Sequence, residues 1–133
     1  MVRFYTVQSV EDAARLSAGG IPWPTGLQRA NLGPGLYAWG TREDAESYHQ
    51  VLLEHGVGPC RILVYELQED DLHNMKKLDL TLMSDEEVTA WLANFSHYGA
   101  ARPHEWEYVV RATARGKEHF FAASAFARLK EVQ

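Results

Sequence analysis

The sequence predicts a mixed α+β fold around a largely antiparallel or split sheet, and three observations predict it. Strand-like runs at residues 2–7, 36–39, 60–67 and 106–112 are mixed with helix-like segments, without the strict alternation of a doubly wound parallel sheet. The 133 residues suffice for one core and not two, so 1–133 reads as a single domain. With 46% hydrophobic and 23% charged residues, the composition is that of a soluble globular protein rather than a disordered chain.

Residues 2–7 alternate apolar and polar side chains of high β propensity, a strand on which Phe4 faces opposite to Arg3 and Tyr5. Ser9 is placed to cap a helix through its hydroxyl. Glu11 and Asp12 then sit at the positive end of the helix dipole, and Val10, Ala13, Ala14, Leu16 and Ala18 supply an apolar stripe. Gly19 and Gly20 end that helix. Pro22 and Pro24 keep residues 21–26 in a loop. The segment from there to Gly33 is long enough to suggest a functional flap or crevice wall, in which Trp23 either packs on the body or covers a ligand.

Gly33, Pro34 and Gly35 next turn the chain sharply, because both glycines can take positive φ while the proline holds φ at about -65°. The strand at 36–39 follows, with Tyr37 and Trp39 on one face, where a ligand is first sought. Thr41 with Asp44 forms an N-cap pattern. Ala45, Tyr48, Val51, Leu52 and His55 recur at helical spacing, and Gly56 supplies the C-cap.

Residues 60–67 are apolar enough for a central strand, and residues 68–71 read as a solvated turn. A short strand is expected at 77–82. Ser84 and Glu87 then make a capping box before a helix that carries Val88, Trp91, Leu92 and Phe95 inward and stops near Gly99. Residues 106–112 form a second strong strand, Gly116 lies at a turn, and 119–122 and 127–132 read as strands, with a short helix over 125–130 as the alternative for the last.

The net charge of -5 argues against a non-specific nucleic-acid binder, which usually presents excess Lys and Arg to phosphates. Cys60 is the single cysteine, so no disulfide framework exists and a reducing compartment is the better expectation. Its place in an apolar run suits a buried strand residue more than a nucleophile. No apolar stretch approaches the roughly 18 residues of a membrane span, and the N-terminus lacks a secretory pattern, so the chain reads as cytoplasmic with no membrane partner.

Six histidines invite a test for metal binding, yet none are paired at zinc-ligand spacing, and no metal is expected. Neither a Gly-x-Ser-x-Gly elbow nor a phosphate-binding P-loop occurs. The remaining candidates are Tyr37 and the Glu105, Trp106, Glu107 triplet. Carboxylates two apart at a strand mouth share a face and hold one another's pKa values apart, a geometry suited to glycosyl transfer through a sugar cation. The competing reading makes both glutamates solvated residues at a strand start. Trp106 points away from them toward the core, and His104 either positions an acceptor or lies in solvent.

In its order of pieces the chain resembles the ADP-ribosyltransferase fold in its diphtheria-toxin and poly(ADP-ribose) polymerase branch. Gly33-Pro34-Gly35-Leu36-Tyr37-Ala38, with Ala45 and Tyr48 on the next helix, is similar to the segment bearing that family's NAD-stacking tyrosine. Glu107-Tyr108-Val109-Val110 is similar to the segment bearing its catalytic glutamate. The resemblance runs from about Val2 to about Val132 through short motifs. It implies a split antiparallel sheet with flanking helices, NAD as the substrate and nicotinamide as the leaving group.

By the same resemblance Tyr37 stacks on the nicotinamide beside the Gly35 turn, and Glu107 holds the ribose 2′-hydroxyl. Glu105 positions an acceptor, protein or small molecule, and tilts it toward a guanidinium group. Arg3 or Thr6 contacts ribose or phosphate. Phe4 stands where the family carries a histidine or arginine on the first strand. The alternative is a non-catalytic module of the same fold that binds a nucleotide or a protein partner.

Overall fold

The computed structural model describes residues 1–22, 32, 35–95 and 105–132. Its architecture is mixed α and β, with one sheet of seven strands and several helices. The strands are β1 (Val2–Ser9), β2 (Gly35–Trp39), β3 (Cys60–Leu67), β4 (Lys77–Asp79), β5 (Tyr108–Thr113), β6 (Gly116–Ala122) and β7 (Lys130–Val132). They lie in the order β4-β5-β6-β2-β1-β3-β7. Among the described strands only β4 and β5 pair in parallel, and the other neighbours are antiparallel.

Helices α1 (Val10–Ser17), α2 (Arg42–Glu54), α3 (Glu69–Asn74) and α4 (Asp85–Phe95) accompany the sheet. Three of them begin at the caps the sequence provides. The Ser9 hydroxyl accepts from the Asp12 amide at 3.1 Å, and the Thr41 hydroxyl accepts from the Asp44 amide at 3.1 Å. At the start of α4 the Ser84 amide donates to Glu87 at 3.1 Å while the Glu87 amide donates to the Ser84 hydroxyl at 3.2 Å, the reciprocal capping box. Gly19 and Gly56, at φ of 94° and 79°, follow α1 and α2 in the left-handed region that favours glycine.

Several expectations are corrected. Residues 69–74 form α3 rather than a turn, because Glu69, Asp70 and Asp71 all lie in its first turn, where the helix dipole favours negative charge. The expected strand at 77–82 ends at Asp79, whose carboxylate accepts from the Thr81 amide at 2.9 Å and starts a 3₁₀ turn, Leu80–Leu82. Residues 123–128 form a 3₁₀ helix, so the strand expected at 127–132 shrinks to β7. Val10 is exposed and leaves the α1 stripe to Ala13 and Leu16. Gly35 lies inside β2, not in a turn. Trp23, Gly33, Pro34, Gly99 and His104 lie outside the described residues, as does the side chain of Phe95.

Alternation along the strands divides the core between the two faces. Phe4, Leu36, Ala38, Leu63, Tyr65, Tyr108 and Phe121 pack with Ala13 and Leu16 of α1 and with Ala125 and Leu129. On the opposite face Tyr37, Val109, Phe120, Leu32 and Leu80 meet Val88, Trp91 and Leu92 of α4, while Val7 and Trp39 meet Ala45 and Leu52 of α2.

Candidate functional site

The sheet is narrowest at its middle seam. β1 and β3 share eight registered pairs, whereas β1 and β2 share one, Tyr5 with Trp39. The seam therefore joins a β4-β5-β6-β2 half to a β1-β3-β7 half through little ladder hydrogen bonding. A side chain supplements it: the Thr6 hydroxyl donates to the Tyr37 carbonyl at 2.7 Å and accepts from the Gln8 amide at 2.7 Å. Both polar side chains are buried, Thr6 completely. Their partners offset the cost of removing them from water.

Tyr37 has a ring inside the core on the α4 side, 2% exposed and 5.3 Å from the Phe120 ring. Its phenolic oxygen accepts from the Leu32 amide at 2.9 Å, and burial pushes the phenol pKa well above its ordinary value. Gly35 is required by space rather than by φ. A Cβ there would meet the Phe121 carbonyl oxygen at 2.2 Å and the Phe120 ring at 2.6 Å. Trp39 and Tyr48 pack together at 5.4 Å between rings, and the Arg42 guanidinium lies 5.2 Å from the centre of the Tyr5 ring.

Arg3 points outward from β1 and pairs with Glu66 on β3, its Nε donating to Glu66 Oε1 at 3.0 Å. At the other side of the sheet, Glu107 and Glu105 converge on Lys76. The Lys76 backbone amide donates to Glu107 at 3.1 Å and the Lys76 ammonium to Glu105 at 2.8 Å. The second oxygen of Glu107 accepts from Arg128 at 3.0 Å. Trp106 packs with the Tyr37 cluster and lies 5.4 Å beneath the Lys76 ammonium.

Sequence reasoning passed over one pair. Tyr108 and His119, diagonal neighbours on β5 and β6 beside Phe4, hydrogen-bond through the phenol and Nδ1 at 2.5 Å. The Phe4 ring meets the His119 ring edge-on at 5.0 Å, an aromatic of β1 packed on a histidine of β6. Burial, reinforced by Lys117 and opposed by Asp79, holds His119 down at about 4. The imidazole is therefore neutral at pH 7, and Nδ1 and the Tyr108 phenol share one hydrogen bond whose donor is set by the imidazole tautomer. Only the topology brings these residues together; their separation in sequence carries no signal.

Cys60 is half-buried in β3 and burial pushes its thiol up, away from the thiolate. Among the described residues no three His, Cys, Asp or Glu side chains gather as a metal site. No described helix is long and apolar enough to cross a membrane. No protein-family model matches the chain, and no curated protein matches its sequence.

Proposed function

We propose that the chain is a non-catalytic module of ADP-ribosyltransferase-like fold, a binding protein that does not consume NAD. The observation that carries this reading is the engagement of the two residues on which catalysis would depend. Tyr37 is 2% exposed with its hydroxyl on the Leu32 amide, and the Glu107 carboxylate is held by both Arg128 and the Lys76 amide. Phe4 supports it, since an apolar ring offers no hydrogen bond to a ribose.

A second reading rests on the seam. In NAD-dependent transfer of ADP-ribose to an acceptor, the single-pair junction between β1 and β2 would admit the nicotinamide, with Thr6 and Tyr37 on its two sides. Glu107 would leave Arg128 to hold the ribose 2′-hydroxyl while the nicotinamide departs, and Glu105 would position the acceptor. Calorimetric titration with NAD, run beside a nicotinamide-release assay on the wild type and Glu107→Gln, separates the two. Release absent from both proteins supports the module; release in the wild type that disappears in Glu107→Gln supports the enzyme.

A further inference from the structure

β1 flanks β3 from Cys60 to Leu67, but β7 flanks it only at Val64, Tyr65 and Glu66. Alternate residues of a strand turn their amide and carbonyl to one side, and those that face outward between Cys60 and Ile62 meet no described strand. An open edge of this kind is a template for an incoming extended segment. It borders a cavity of about 430 Å³ whose walls include Arg42, Arg61, Ile62, Leu63, Glu131 and Val132.

The charges around this edge have a sign. Arg61 is opposite Gln8 and shares its face of β3 with Leu63 and Tyr65. Arg42 stands at the start of α2 on the other face, above Tyr5. Both are exposed, and neither lies in ion-pair distance of a described carboxylate. Glu131, the carboxylate in the wall, accepts from the Ser17 hydroxyl at 2.5 Å. A chain of net charge -5 thus places one cation on each face of its open edge.

We propose that the β3 edge from Cys60 to Ile62 binds an extended acidic segment of a partner protein, which adds as an antiparallel strand in line with β7. Successive side chains of an extended segment point to opposite faces, so two adjacent carboxylates reach Arg42 and Arg61. An apolar residue beside them covers half-buried Ile62. A second copy of this chain is the poorer occupant, because edge-to-edge pairing sets Arg61 near its own equivalent. The edge lies across β1 from the seam, so this interaction stands whether or not NAD is consumed.

The probe is a blocked octapeptide, Val-Glu-Glu-Val-Glu-Glu-Val-Val, titrated by fluorescence anisotropy into the full chain at low salt. Amide hydrogen exchange reads where it binds. The expected result is binding that protects the outward-facing amides between Cys60 and Ile62, weakens at least about tenfold in the Arg42→Gln/Arg61→Gln double variant, and persists in the Arg42→Lys/Arg61→Lys double variant. Methylating alternate backbone nitrogens of the peptide should abolish it, a readout that needs no protein variant. Equal binding of a peptide with lysine for glutamate, protection elsewhere, or no binding would overturn the proposal. Concentration-dependent dimers that protect the same amides would also overturn it, assigning the edge to a second copy.

Discussion

The Thr6 hydroxyl donates a 2.7 Å hydrogen bond to the Tyr37 carbonyl, tying together the two halves of a sheet that share a single registered pair at that seam. Replacing Thr6 with the nearly isosteric Val removes the hydroxyl, leaving the Tyr37 carbonyl without its donor and the Gln8 amide without its acceptor. We expect a loss of about 1–3 kcal/mol in urea unfolding, the cost of buried groups left unsatisfied. A change under about 0.5 kcal/mol, the range of an ordinary surface substitution, would mean that the bond does not hold the seam.

Gly35→Ala tests the close approach of β2 to β6. The added Cβ meets backbone at 2.2 Å, where nothing rotates out of the way, whereas a Cβ at Gly58 meets nothing within 4 Å. Thermal melts should show Gly35→Ala destabilised by about 2–3 kcal/mol and Gly58→Ala nearly unchanged. Equal effects at the two glycines would contradict the steric account.

His119 predicts an acid-side loss of stability. Its folded pKa, about 4, lies below the unfolded value of 6.5, so between those limits the unfolded chain binds more protons than the folded one. Its contribution is complete above pH 6.5 and disappears as pH falls toward about 4. Half-buried Glu118, its pKa raised by desolvation, acts in the opposite sense in the acid range. The difference between wild type and His119→Gln therefore isolates the histidine. It should shrink as pH falls through that window, and a difference independent of pH would refute the assignment.

A double-mutant cycle at Glu107 and Arg128 measures their pairing directly. Both side chains are partly exposed, at 24% and 38%, so solvent screening keeps the expected coupling to about 0.5–1 kcal/mol. A coupling near zero would free Glu107 for other partners and weaken the case for a module.

Much of the fold was legible because local chemistry and tertiary structure agree. Ser9, Thr41 and Ser84 cap the helices their spacing marks, and the apolar runs at 60–67 and 106–112 supply β3 and most of β5. The acidic α3 was illegible as a helix, since six polar-rich residues carry no apolar stripe. The site was legible only as residue types. Alternation correctly gave Tyr37 and Trp39 one face, but burial depends on what covers that face, here α4 and α2. Likewise Glu105 and Glu107 read as a pair, while Lys76 and Arg128, which engage them, come from elements whose meeting is set by the whole sheet.

The most direct test of the account is nicotinamide release from NAD by the purified chain, measured beside the Glu107→Gln variant. The account predicts no release above buffer from either protein, with Glu107→Gln differing from the wild type only in stability. Release by the wild type that is lost in Glu107→Gln would contradict it and establish Glu107 as a catalytic carboxylate.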